Sequence, residues 1–252
     1  MNIKQKVDNS ILVILDKLGL AFNPLILKFA SEKDQLLIFY FHGVYDSLQQ
    51  KRKHHVSPQN NVTKEQLSEF VEYFLERNYL FIAPEDLERG LLKDKSYVMI
   101  TFDDGYYNNF YSLPVLEEFQ VPATYFITTK NLISNNSYWW DVVYKYRKQE
   151  GVSLELIRDE QQYLKRFKHD EIDQYLLENF GMDCFIPWSD VDRPMTTEEL
   201  KVFGNHDLVS IGNHTHNHSI LTNYSLVEAA AHKILRQRDR KGIRFPDQQH
   251  GP

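Results

Sequence analysis

Short apolar runs alternate with polar breaks along the chain, in an order that predicts parallel strands joined by helices. Residues 36–41, LLIFYF, are strand formers that end at His42-Gly43, so they predict a buried strand feeding a loop. Residues 46–62 are polar and predict an exposed loop, with His54 and His55 in solvent. Thr63-Lys-Glu-Gln66 is a capping box that opens a helix to about Arg77, and Pro84-Glu-Asp-Leu87 starts a shorter one. The run 96–102, SYVMITF, reads as a continuous strand that stops at Asp103-Asp104-Gly105. A helix around 113–119 and a strand over 121–128 follow, and this strand–loop–helix–strand order predicts a parallel α/β unit.

Residues 134–195 break the rhythm. They are aromatic and charged, with helical stretches near 138–149, 154–168 and 170–180. A second capping box at Thr196-Thr-Glu-Glu199 opens another helix. Residues 208–211 then form a short strand ending at Gly212-Asn213-His214, and a helix covers about 225–238. At the other end, Leu12, Ile14, Leu15, Leu18 and Leu20 suit an amphipathic helix within residues 1–35. Asp16, Lys17, Asn23 and Pro24 interrupt that stretch, so no run reaches the ~18 apolar residues of a membrane span. It also lacks the uninterrupted apolar region and cleavage site of a secretory signal. A helix packed on the core or an interface is favoured over one lying on a membrane surface.

Composition narrows the class. At 252 residues, with 42% hydrophobic and 25% charged, the chain reads as one globular domain with additions, or at most two. A net charge of -6 argues against nucleic acid as a partner. The single cysteine, Cys184, excludes an intrachain disulfide and reads as a core filler.

In parallel α/β proteins, chemistry gathers where strands end. Two such ends here carry it. At Thr101-Phe-Asp-Asp-Gly105, adjacent carboxylates point in different directions, so one can hold a metal while the other stays free as a base. Without a cation the pair would repel, and Gly105 permits a sharp turn after it. At His214-Thr-His-Asn-His218, the i,i+4 spacing puts two imidazoles on one side of a helical turn, with His216 as a third candidate. Histidine with carboxylate suits zinc, and three protein ligands leave a coordination position open, as in catalytic sites.

These residues resemble the polysaccharide deacetylase (NodB-homology, carbohydrate esterase) family. Its Thr-Phe-Asp-Asp-Gly motif stands at 101–105, and its His-Ser/Thr-x-x-His motif at His214, Thr215 and His218. The likeness covers about 96–225, including Pro122-Ala-Thr-Tyr-Phe126, and is looser over the leading strand. The resemblance implies a distorted (β/α) barrel with a divalent metal, zinc above others, held by Asp104, His214 and His218. It makes Asp103 the catalytic base, and places an oxyanion-binding backbone N–H near Tyr106, with Thr215 shaping the histidine loop. The implied reaction removes N-acetyl groups from a polysaccharide or oligosaccharide. The family's substrates, with no recognisable signal, imply a cytoplasmic location, with membrane association at most peripheral.

Three departures from the family shape further expectations. About 110 residues separate Asp103 from His214, and the excess at 134–195 is a helical insertion. It is read either as a lid or substrate wall, with Trp139 and Trp140 stacking on sugar, or as helices packing their own aromatics. Arg244-Phe-Pro246 is the candidate for the Arg-x-Pro segment that orients the base. The C-terminus is expected to be truncated or divergent, without the family's last histidine acid, for which His42 is a candidate substitute. The domain therefore reads as 36–252. An impaired remnant that keeps a metal or glycan site, and an amidase acting on a small non-sugar amide, stand as alternatives.

Overall fold

The computed structural model describes residues 35–226 of the chain. Their order is a parallel α/β arrangement, as the apolar pattern predicts. The strands are β1 (Leu36–Phe41), β2 (Val44–Tyr45), β3 (Val62–Thr63), β4 (Tyr79–Phe81), β5 (Ser96–Phe102), β6 (Ala123–Ile127) and β7 (Val209–Asn213). The helices are α1 (Leu48–Lys51), α2 (Lys64–Leu75), α3 (Pro84–Arg89), α4 (Leu113–Phe119), α5 (Thr129–Ser134), α6 (Trp139–Gln149), α7 (Leu154–Leu164), α8 (His169–Phe180) and α9 (Thr197–Gly204).

Strand β5 is buried along its whole length and centres the main sheet. Its seven residues carry no alternation, as expected of a parallel strand covered on both faces. Strand β1 pairs along one edge, from Leu36↔Tyr97 to Phe41↔Phe102. The other edge is shared: β4 takes Ser96–Val98 and β6 takes Ile100–Phe102, with β7 beyond β6. All these pairings are parallel, so the C-terminal ends of β1, β5, β6 and β7 lie at one rim. Among the described residues the sheet is open, with its edge splayed where β4 gives way to β6. The two-stranded β2–β3 ribbon is also parallel.

Both capping boxes form. Thr63 and Gln66 cap α2 reciprocally, and Thr196 and Glu199 cap α9. The apolar face of α2, with Leu67, Phe70, Val71 and Phe74, packs with Phe39, Phe41, Val98 and Phe102 in the sheet core. Stripping such rings of water stabilises the fold by roughly 1.5–3 kcal/mol each.

The insertion at 134–195 builds a second core from Trp139, Trp140, Val142, Val143, Ile157, Leu164, Leu176 and Cys184, and draws Tyr45, Val56 and Tyr106 of the main body into it. Cys184 is buried there, as a core filler should be. The insertion is closed by a buried ion pair: Lys145 Nζ lies 2.9 Å from Asp192 Oδ2 and also donates to Ser137 Oγ and the Ile186 carbonyl.

The polar stretch 46–62 differs from the exposed loop its composition predicts. It carries α1, and it buries Val56, Ser57 and Asn61. Asn61 Oδ1 accepts from Gly43 N–H at 2.7 Å, so its polarity serves buried backbone. His54 is exposed and bonded to Tyr144 Oη, whereas His55 is half-buried, with Nδ1 2.8 Å from Ser189 Oγ. Among the described residues, no helix is long and apolar enough to cross a membrane. The amphipathic segment within 1–35, the helix expected beyond residue 226 and Arg244 lie outside the described residues.

Candidate functional site

The strand ends bring Asp104, His214 and His218 together. One donor atom from each lies within 4.8 Å of the others. Asp104 Oδ1 faces His214 Nε2 at 3.5 Å and His218 Nε2 at 3.3 Å. Asp103, on the same turn, is not part of this group.

The turn itself is unusual. Asp104 has φ 77°, and Gly105 N–H donates to the Asp103 carbonyl at 3.0 Å, a three-residue γ-turn. Gly105 continues at φ 91°, where an added Cβ would also meet Ile127 at 3.0 Å. Three donors fix the Asp104 carbonyl: Thr128 N–H at 3.1 Å, Thr128 Oγ1 at 3.0 Å and Tyr138 Oη at 2.9 Å. Strain of this kind persists where the surroundings over-determine it, and it gathers at functional sites.

The histidine motif does not form the helical turn that its spacing suggested. Residues 214–220 are a loop, with Thr215 at φ 66° and His218 at φ 53°. Thr215 Oγ1 accepts from Ser219 N–H at 3.1 Å, so it shapes the loop. His214 N–H extends the β6 pairing to the Ile127 carbonyl. His216 turns away to Thr129 Oγ1, 2.8 Å from its Nδ1, which separates it from the other two. Proximity of the pair is therefore achieved by left-handed backbone, not by helical periodicity.

The residues present fit a metal. Both Asp104 carboxylate oxygens are buried with no hydrogen-bond donor aligned on them. A buried acceptor left this way is costly. A divalent ion would satisfy it, and the one-carboxylate, two-imidazole set suits zinc. Burial pushes the Asp104 carboxyl pKa up, but the facing His218, His42 and His214 outweigh this and hold it below the ordinary range. Burial lowers the His218 pKa, and the Asp104 carboxylate reverses that into a net rise. His214 stays below its ordinary value because burial dominates there. Asp103 is pushed up by burial, against the pull of His214.

His42 points Nε2 at Asp104 Oδ2, 4.0 Å away, and its backbone carbonyl accepts from Asn109 Nδ2 at 2.6 Å. Burial lowers its pKa, against the pull of Asp104. Tyr106 forms an antiparallel bridge with Pro194 through flanking peptide groups, Tyr107 N–H to Arg193 and Met195 N–H to Gly105. Its side chain is buried in the insertion core.

Trp139 and Trp140 do not offer open faces to a sugar: only 6% and 5% of their surfaces are exposed. The rings pack inward because the insertion buries its own aromatics. The insertion still walls the site. A cavity of about 50 Å³ beside His218 is lined by Tyr138, Trp140, Asn131, Lys130 and Asp173. Thr128 and Asp141 carry structural roles at the site that sequence reasoning missed. Their only signals were a position at a strand end and a place beside the paired tryptophans.

Comparison with known proteins identifies the family. The family model for polysaccharide deacetylases matches residues 92–240. Over 109 residues the chain is 29% identical to YxkH of Bacillus subtilis (strain 168), whose name assigns it to the polysaccharide deacetylases; the match covers 40% of this chain and 39% of that protein. Among solved structures, BC0361, a polysaccharide deacetylase from Bacillus cereus, is similar at TM-score 0.43 and 14% identity, covering 78% of this chain and 44% of that one. The Streptococcus pyogenes deacetylase PplD, solved in complex with acetate, gives 0.41 and 16%, covering 77% and 61%. The chain thus spans less than two thirds of the length of each of these relatives. These likenesses are distant, and the fold stands on the strands and helices described above.

Proposed function

Because the chain belongs to the polysaccharide deacetylase family, we propose that it is a zinc-dependent hydrolase that removes N-acetyl groups from a polysaccharide or glycan precursor. The observation that carries this reading is the grouping at one turn: Asp104 converges with His214 and His218, while the neighbouring Asp103 is not part of their cluster. A purely metal-holding site needs no such spare carboxylate.

In this reading Asp104, His214 and His218 hold the ion. When bound, it supplies Lewis acidity to an amide carbonyl and lowers the pKa of a water. Asp103, free of the ligand set, takes a proton from the attacking water. The Tyr106 backbone N–H donates to the developing oxyanion. Thr215 holds the loop that carries both histidines. Acetate and a free sugar amine are the products. His42, at the same rim with Nε2 4.0 Å from Asp104 Oδ2, is the candidate donor of the proton that the leaving amine takes up.

Acetate release from N-acetylglucosamine oligomers tests the proposal, with the protein chelated and then resupplied with zinc. Release that disappears on chelation and returns with zinc supports it. Release indifferent to chelation, or none with the site loaded, counts against it.

A further inference from the structure

The start of α6 touches two of the three candidate ligands, and the chemistry proposed above makes no use of it. Tyr138 Oη donates to the Asp104 carbonyl at 2.9 Å. The Trp140 ring meets the His218 imidazole edge-on, with centroids 4.6 Å apart. Tyr138 and Trp140 stack on each other at 5.0 Å and 12°.

A buried chain of hydrogen bonds fixes these rings. Trp140 Nε1 donates to Tyr106 Oη at 2.8 Å, and Tyr106 Oη donates to Asp141 Oδ2 at 2.6 Å. Ser57 N–H donates to Asp141 Oδ1 at 2.7 Å, tying the chain to the main body. The Tyr106 hydroxyl gives its one proton to Asp141 and is therefore an acceptor toward Trp140. A satisfied buried network of this kind rigidifies what it holds. Partners behind metal ligands set their orientation, and losing one typically costs about 10–100-fold in metal affinity.

We infer that Tyr138 and Trp140, fastened by Tyr106 and Asp141, are positioning residues that set Asp104 and His218 before a metal arrives. This rests on reading Asp104, His214 and His218 as the metal centre. It gives the insertion a role in assembling the site, distinct from covering it or from touching sugar.

Zinc titration of the metal-free full chain by calorimetry separates positioning from packing. Trp140→Phe and Tyr138→Phe should each weaken zinc binding about tenfold. Their cobalt(II) forms should show shifted visible bands, since the ligand geometry changes. Ile157→Ala cuts the same core, where Ile157 is fully buried, but removes none of the contacts above; in its folded form it should bind zinc like the unaltered chain. Tyr138→Phe keeps both rings and serves if Trp140→Phe does not fold. Unchanged affinity and bands in a folded Trp140→Phe or Tyr138→Phe would overturn the inference, as would equal weakening by Ile157→Ala. An unaltered chain that takes up no zinc would instead overturn the metal-centre reading on which the inference rests.

Discussion

Three residues at the candidate site, Asp104, Thr215 and His218, hold left-handed backbone without being glycine. Each such position costs about 1–3 kcal/mol, so the turns are held by neighbours rather than by their own preference. Gly212 shows how tight that holding is. A Cβ there would strike the Phe126 ring on the adjacent strand β6. Gly212→Ala should therefore destabilise the fold by about 1–3 kcal/mol through overpacking and displace His214, two residues on. Urea unfolding and zinc affinity would both register it; a change below about 0.5 kcal/mol would show that β7 can shift freely. At this scale the sequence was legible where chemistry is local. Asp103, Asp104, His214 and His218 stand out by type and spacing. The left-handed turns and the donors on the Asp104 carbonyl were not legible, because Thr128 and Tyr138 lie 24 and 34 positions away.

Among the elements, β5 matched the apolar run that predicted it, since a buried parallel strand is written as a continuous hydrophobic stretch; β1 keeps its predicted span but is not buried throughout, because Ile38 and Tyr40 are exposed while Phe39 and Phe41 face the core. The insertion helices also fell close to their predicted spans. Tertiary context overrode local pattern at the histidine motif and in the polar stretch 46–62, which buries Val56, Ser57 and Asn61. The i,i+4 histidines lie on a loop; the paired tryptophans face inward, as one of the two readings of the insertion had it. The inward packing of the insertion depends on the Lys145–Asp192 pair, in which both side chains are fully buried. Removing one partner of such a pair leaves an uncompensated charge, typically at a cost of 3–5 kcal/mol. Lys145→Met should lose about 3 kcal/mol in urea unfolding, and adding Asp192→Asn should recover part of it. A loss below about 1 kcal/mol would mean that the other donors to Asp192, the Trp188 and Ser189 N–H groups, carry its charge unaided.

Across the whole molecule, the candidate site sits between two cores. The sheet delivers Asp103, Asp104 and His214 at one rim, and the insertion closes against Asp104 and His218 from the other side. The central claim is that adjacent carboxylates divide the work, Asp104 holding the metal and Asp103 moving the proton. The most direct measurement is zinc stoichiometry and acetate release on the unaltered chain, Asp103→Asn and Asp104→Asn side by side. The account predicts that Asp103→Asn keeps its zinc and loses turnover, whereas Asp104→Asn loses both. Turnover surviving in Asp103→Asn, or zinc retained at full affinity by Asp104→Asn, would contradict it.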